Sequence, residues 1–430
     1  MSRGRPAVLA SLLVLAACGE DALAPGACPD FCPGGSIGIA DTVLTMIIER
    51  DSSFRGYLQP HEGEALAVAD LPGIVDSRAI FRLNPMFTRV APDEGDTATV
   101  PITADSARLR IQVVRRDTNA TNLRLKIYRL PSDIDSTTTF AALTPWFTDS
   151  LVDSVNVSNL LDRPPIADSA TLAAWGDTIR TDSAGHVLQI ARSDSSLILH
   201  LSFDTEQARF VVDDSGRVAY GVRVAADSLA SIALGAENVL SRDAQIRWFY
   251  SYPDTVIKRD STVRGTEFDS FVFDPPSPAL DDNLTVGGVP AARALVRVAI
   301  PSFLRDTVDV VRATLLLVPV APVQGAPGDS FTVLARPVLA DLGAKSPLNP
   351  LPNFFGSATI HIGSADTVRM ELSDLIRAWA RDTASVTTFV LGQLPEASTY
   401  AEVRFYSSRT PAFRPALHVT YVRRFAFGAP

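Results

Sequence analysis

The sequence predicts an all-β protein built from two tandem antiparallel β-sandwich units, with one short helix in the second unit. Three observations carry this prediction. Apolar and polar residues alternate along many short segments, which is the pattern of strands with one face in the core and one in solvent. Prolines and turn-forming residues separate these segments at short intervals. Strand-like segments also recur in the same order in both halves of the chain.

The chain begins with a segment typical of an export signal. Two arginines precede the apolar residues 7–15, and two alanines follow them. A helix needs roughly 20 apolar residues to span a bilayer, so we expect residues 1–17 to be a removable signal. Residues 15–18, LAAC, resemble the lipobox of bacterial lipoproteins. This resemblance implies cleavage before Cys18 and attachment of a diacylglycerol to its thiol; the alternative is an ordinary signal with a chance cysteine.

The lipobox resemblance also implies a location in the bacterial cell envelope. Gly19 stands where an aspartate tends to retain the lipoproteins of enteric bacteria on the inner membrane. We therefore expect a lipid anchor in the outer membrane, with the protein on its periplasmic or its surface face. Residues 18–40 are rich in Gly, Pro and Ala, and we interpret them as a tether.

The tether contains the other two cysteines of the chain, Cys28 and Cys32. Export favours oxidation, so a small local disulfide between them is one prediction, and free thiols are the alternative. A zinc site needs four ligands at suitable spacing, and no paired CxxC or His cluster accompanies these two.

Charge limits the partners of this chain. It has 39 Lys and Arg against 48 Asp and Glu, a net charge of −9. Nucleic acids and anionic lipid surfaces attract basic proteins, so we expect no nucleic-acid partner. Contact with the membrane is expected through the lipid anchor alone.

The strand prediction depends on segments such as RLRIQVVRR at 108–116, NLRLKIYRL at 122–130 and AQIRWFYSY at 244–252, in which every second residue is apolar. One segment has a different period. In ELSDLIRAWARD at 371–382, the apolar residues recur at helical spacing and Ser373 or Asp374 is available as a cap. This segment predicts a single short helix.

Three pairs of segments match between the two halves. They are 77–83 with 292–298, 107–114 with 313–320, and 244–251 with 401–408. Any two amphipathic strands look somewhat alike, but the common order and the shared Arg and aromatic positions of the last pair favour duplication. We therefore place the first unit at 41–262 and the second at 263–430.

The second half resembles the DNRLRE-type domain, a jelly-roll-like module of exported and surface proteins. The matching segments are DSFVFDP, NLTVGGVPAARALVRVAIPSF, VVRATLLLVPV, VRMELSDLIRAWARD and EVRFYSSRTPAFRPALHVTYV. Arg409 departs from the usual Glu, and a middle segment of the family is missing; the first half is a more distant match. The resemblance implies a jelly-roll-like fold and a non-catalytic surface module related to carbohydrate-binding modules. It supplies no binding residues.

The sequence predicts no catalytic residues and no cofactor. The five histidines lack the spacing of a metal motif. GDS at 328–330 is similar to an esterase motif, but it precedes a strand, and the late RPALH lacks the required Asp. Carboxylate pairs suited to glycoside hydrolysis could form only through the fold. ALDDNL at 279–284 offers oxygen ligands for Ca²⁺, with a solvated loop as the alternative.

Tryptophans are the last candidates, because a flat ring covers the apolar face of a sugar. Trp248 and Trp379 lie in strand and helix patterns and are predicted to be core. Trp146 and Trp175 lie in the loop-rich middle of the first unit and are candidate ligand platforms, with packing as the alternative. The sequence thus favours a surface module that binds a glycan or an envelope protein. A purely structural lipoprotein is the second hypothesis, and a glycan-active hydrolase the third.

Overall fold

A computed structural model describes residues 39–93, 97–166, 177–210, 216–254, 256–325, 329–350 and 355–424. The predicted signal, most of the tether, Cys18, Cys28, Cys32 and Trp175 lie outside the described residues. Antiparallel strands dominate the remainder and pack face to face, so the prediction of an all-β, sandwich-type fold is confirmed.

The strands of the first half are β1 (Ile39–Leu44), β2 (Ile48–Arg55), β3 (Ala65–Leu71), β4 (Val75–Leu83), β5 (Arg89–Val90), β6 (Val100–Pro101), β7 (Thr103–Arg116), β8 (Arg124–Leu130), β9 (Leu151–Asn156), β10 (Thr178–Thr181), β11 (Val187–Ile190), β12 (Leu197–Ser202), β13 (Ala219–Ala225), β14 (Ala230–Gly235), β15 (Gln245–Tyr252), β16 (Lys258–Arg264) and β17 (Thr266–Asp274). Those of the second half are β18 (Leu284–Gly287), β19 (Ala292–Val298), β20 (Val308–Leu317), β21 (Ser330–Pro337), β22 (Gly356–His361), β23 (Val368–Glu371), β24 (Thr388–Leu394), β25 (Glu402–Phe405) and β26 (Ala416–Arg423). The helices are α1 (Phe140–Leu143), α2 (Trp146–Asp149), α3 (Val157–Asp162), α4 (Ser302–Asp306) and α5 (Ser373–Arg381), and short 3₁₀ turns occupy Pro60–Glu62, Asp204–Arg209 and Gly343–Lys345.

Unit 1 is one large sheet that curls over itself. One layer has the order β16-β15-β7-β12-β11-β10 and the other the order β17-β4-β13-β8-β9, while β3 and β14 join the layers at a corner. The long strand β7 makes the corner possible, because its first part pairs with β15 and its last residues pair with β14. The side chains between the layers include the fully buried Trp248, Tyr220 and Phe81.

Unit 2 has the same plan with fewer strands. A sheet of order β1-β26-β20-β23 faces a sheet of order β22-β21-β24-β19-β18-β25, to which β2 is added on β19. The predicted helix is confirmed as α5, which buries Trp379 against Phe389 in the core of this unit. Trp248 and Trp379 are both core residues, as predicted.

Strand pairing divides the chain at other points than the predicted boundary between 262 and 263. The first two strands, β1 and β2, belong to unit 2, although residues 41–262 were expected to form unit 1. Conversely, β16 and β17 belong to unit 1, and β17 contains the DSFVFD segment that was expected to open unit 2. The physical reason is that alternation of apolar and polar residues identifies a strand and its solvent-exposed face but does not specify which strand it pairs with.

We call residues 39–55 clip 1 and residues 258–274 clip 2. Each clip consists of two edge strands, one on each layer of a sandwich, and the turn between them covers one side of that sandwich. The two clips have equivalent registers. Asp51 of β2 lies opposite Val296 of β19, and Asp269 of β17 lies opposite Phe81 of β4. Phe81 and Val296 also correspond in the sequence repeat. Unit 1 is therefore continuous in the chain, whereas unit 2 is assembled from clip 1 and residues 284–423.

Candidate functional site

The junction between the units forms a cleft of about 320 Å³. Unit 1 contributes the last residues of β7, including Arg115, and Glu64 and Arg242 from loops. Unit 2 contributes the start of β21 with Phe331 and Thr332, and the chain that follows β24. The wall alternates charged, hydroxyl and amide groups with apolar side chains, a composition common in ligand sites, which occur often at domain boundaries.

An ion pair crosses one side of this cleft. Arg115 of unit 1 contacts the carboxylate of Asp329 of unit 2, and both side chains remain partly exposed. Beside them, Tyr400 of unit 2 packs against the core of unit 1. Burial raises the pKa of the Tyr400 phenol, and the neighbouring Asp329 raises it further, so the ring is held as a neutral phenol. The Arg115–Asp329 ion pair therefore links the two units at the rim of the cleft.

Gln393 provides a buried polar group in the same wall. Its side chain is 1% exposed, and its Nε2 donates a long hydrogen bond of 3.5 Å to the carbonyl of Ala401. Its Oε1 accepts no hydrogen bond from the described residues. A buried amide oxygen without a donor costs about 1–3 kcal/mol. Gln393 is therefore a polar group whose hydrogen-bonding capacity is not used within the described protein.

A second cleft of about 400 Å³ lies on the other side of the segment around Ala401. Its wall is more apolar and includes Pro275, Pro276 and Pro278 from the chain that links the units, with Phe273 and Tyr400. Arg404 closes its edge through ion pairs to Glu402 at 2.9 Å and Asp281 at 2.7 Å. We take the first cleft as the candidate site because its wall carries more diverse polar groups.

The candidate platform Trp146 lies apart from both clefts. It is 39% exposed at the start of α2, while Phe147 of the same helix is buried against Tyr128 with 5.1 Å between ring centroids. The helix thus covers the outer face of unit 1 and leaves part of the Trp146 side chain accessible. A platform at Trp146 stays a prediction, and Trp175 lies outside the described residues.

The loop proposed for Ca²⁺ directs its carboxylates to arginines. Asp281 pairs with Arg404, and its other oxygen accepts a hydrogen bond from the backbone N–H of Asn283. Asp282 lies 3.7 Å from Arg409. In the described ranges, no cluster of three His, Cys, Asp or Glu side chains is arranged to hold a metal ion.

A buried histidine joins two edges of unit 1. His186 contacts Asp182 through Nδ1 at 2.8 Å and Asp153 of β9 through Nε2 at 3.2 Å. The hydrogen bond to Asp153, helped by Asp182, raises the pKa of His186 to about 9. His200, by contrast, has its pKa lowered to about 4, chiefly by burial. His186 is an imidazolium at neutral pH, and its position between two carboxylates suits a structural link.

Arg115, Gln393 and the cleft were not predictable from the sequence, because these residues meet only when the two units pack. The GDS motif did single out Asp329 and Ser330, and both line the cleft. However, Asp329 is held by Arg115.

No protein-family model matches the chain, and no curated protein matches it. Within the residues that the structure describes, no helix has the length and apolar character needed to cross a bilayer.

Proposed function

We propose that this chain is an exported, lipid-anchored, non-catalytic surface module that binds a glycan in the cleft between its two units. The observation that carries the proposal is the composition of the cleft wall. The partly exposed polar groups of Arg115, Asp329 and Thr332 suit the hydroxyl groups of a sugar, and Leu394, 44% exposed in the same wall, supplies an apolar surface for its C–H face. A shallow site of this kind gives weak binding, with a Kd on the order of millimolar to micromolar.

The first test fills the cleft. The change Thr332→Trp adds a large ring to a strand position that lines the cleft. Thr359→Trp is the matched control, since Thr359 lies opposite Thr332 on the neighbouring strand β22 and is not part of the wall. The mature chain with Cys18→Ser is screened against bacterial, algal and plant polysaccharides by titration calorimetry. We expect binding that Thr332→Trp lowers at least tenfold, or about 1.4 kcal/mol, and that Thr359→Trp leaves unchanged.

Two results would contradict the proposal. Binding that survives Thr332→Trp but falls with Trp146→Ala would move the site to the helix α2. Release of sugar from any polysaccharide by the same protein would favour a glycan-active hydrolase.

The second candidate function is a structural lipoprotein that supports an envelope assembly. Two chain crossings, made by clip 1 and clip 2, tie the units together and favour this function. Absence of binding across the whole panel, with equal stability of the Thr332→Trp and Thr359→Trp variants, would support it over glycan binding.

The lipid anchor has its own test. Cells that express the chain in a Gram-negative host are fed labelled palmitate. We expect label in the wild type and none in Cys18→Ser, because the thiol is the acceptor for the diacylglycerol. Equal label in both proteins, or a mature N-terminus beyond residue 18, would contradict the anchor.

A further inference from the structure

Each clip closes the unit that does not follow it in the chain. Clip 1 is followed by residues 56–64 and then by β3 of unit 1, yet it pairs with unit 2. Clip 2 is followed by residues 275–283 and then by β18 of unit 2, yet it pairs with unit 1. The two linkers have equal length. The units have thus exchanged their leading strands within one chain.

Side chains select this exchange. Arg55 at the end of clip 1 pairs with Glu402 of unit 2 at 2.6 Å. The corresponding residue of clip 2 is Phe273, since Arg55 lies opposite Ala292 and Phe273 lies opposite Ser77. Clip 1 placed on unit 1 would lose the Glu402 carboxylate, and clip 2 placed on unit 2 would set an aromatic ring beside it. Clip 1 is therefore specific for unit 2.

Clip 1 can leave unit 2 without disturbing an internal strand. Both β1 and β2 are edge strands, paired with β26 and β19 respectively. Ile47, in the turn between them, and the Asp51 carboxylate are the buried side chains of clip 1, while Leu44, Ile48 and Phe54 pack against unit 2 with partial exposure. The interactions that are lost on release are regained in full on any other copy of unit 2, so exchange between copies changes few contacts.

We propose that a second copy of this chain is a partner, with clip 1 of one copy completing unit 2 of the other. The hinge is residues 275–277, which include two prolines and precede the points where Arg404 of unit 2 binds Pro278, Ala279 and Asp281. Each copy keeps its own clip 2 on unit 1. The product is a reciprocal dimer in which both units remain complete and the junction cleft is formed between copies.

The experiment uses the mature chain with Cys18, Cys28 and Cys32 changed to serine, which leaves it without cysteine. Val43 and His418 lie directly opposite each other on β1 and β26. One copy carries Val43→Cys and a size tag, and the other carries His418→Cys. The two are mixed at high concentration, allowed to equilibrate and oxidised. We expect a mixed disulfide dimer, about tenfold more abundant than the background from random collision.

The background comes from mixing Val43→Cys with Val263→Cys, because Val263 is exposed on β16, the equivalent edge strand of unit 1. The double variant Val43→Cys/His418→Cys, oxidised in dilute solution, closes within one chain and reports the register. The proposal is wrong if the double variant forms its disulfide within one chain while the two single variants give only the background amount of mixed dimer. A double variant that stays open overturns the pairing of β1 with β26, and the proposal with it.

Discussion

Asp51 and Asp269 occupy equivalent positions in the two units, and their surroundings differ in charge. Both carboxylates are buried, and each accepts one backbone hydrogen bond, from Ser408 at 2.6 Å and from Glu237 at 2.7 Å. In unit 2, Arg409 lies 3.5 Å from Asp51. In unit 1, the charged neighbours of Asp269 are the carboxylates Glu237 and Asp243.

The electrostatic consequence is clear in unit 1. Burial, reinforced by the two neighbouring carboxylates, raises the pKa of Asp269 to about 7. Both units have the buried carboxyl group and its backbone hydrogen bond, but among the described residues a compensating cation lies beside Asp51 alone. Arg409 is that cation. Comparison of the two sites therefore distinguishes two effects of a buried carboxyl group. Its hydrogen bond to the backbone is common to both units, whereas the free-energy cost of burying its charge is offset by a cation only at Asp51.

The largest expected effect comes from separating the units. The fragment 59–274 contains all strands of unit 1 and should unfold cooperatively on its own. The fragment 275–424 lacks clip 1, so the pairing edges of β19 and β26 are exposed and the place of Ile47 is empty. We expect it to aggregate or to lack a cooperative transition in circular dichroism.

The matched control adds residues 39–58 to the end of fragment 275–424 through a flexible linker. Because Ile39 pairs with Val422, a short linker reaches, and this fragment should regain a cooperative transition. Cooperative unfolding of 275–424 without the addition would show that clip 1 is dispensable.

A smaller effect is expected from Arg409→Met. This change leaves Asp51 buried without its cation, and we expect it to lower the free energy of unfolding by about 1–2 kcal/mol, since the guanidinium is half exposed. Urea titration measures the change. Arg424→Met is the control, because it removes an exposed pair with Asp309 that should contribute less than about 1 kcal/mol. Equal losses in both variants would contradict a special role of Arg409.

A gain in stability at pH 8 is expected from Asp269→Asn. The folded pKa of Asp269, about 7, is above its usual value of 3.8, so the folded state binds the extra proton. Asp269 therefore lowers stability as the pH rises from about 4 to 7. Asparagine keeps the acceptor for the Glu237 N–H and does not titrate. We therefore expect the stability of Asp269→Asn relative to the wild type to rise by about 4 kcal/mol from pH 4 to pH 8, at about 1.4 kcal/mol per pKa unit.

The control for this gain is Asp117→Asn, which also keeps an acceptor for a backbone N–H but lies at an exposed turn. A gain for Asp269→Asn that is the same at both pH values would contradict the charge argument, because a packing effect does not titrate.

Patterns of adjacent residues predicted the strands, the helix α5 and the buried positions of Trp248 and Trp379. Each of these predictions depends on a local repeat of apolar residues, with a period of two residues in a strand and of nearly four residues in a helix. The exchange of clips was not predictable, because β2 and β17 alternate in the same way whether they pair with β4 or with β19. The cleft was not predictable either, since Arg115 and Asp329 are more than two hundred residues apart. The burial of Asp51 and Asp269 was not predictable, because no local pattern distinguishes a buried carboxylate from an exposed one.

The exchanged clips also determine the order in which the two units can be completed during synthesis. A chain made from its N-terminus presents clip 1 first, and the strands that receive it, β19 and β26, emerge more than two hundred residues later. Clip 2 follows β15 directly and pairs at once. The composition of the strands fits these histories: β2 reads IERDSSFR, while β17 reads TEFDSFVFD and is richer in aromatic residues. Charged residues protect a strand from aggregation while it is exposed to solvent and its partner strands have not yet been synthesised.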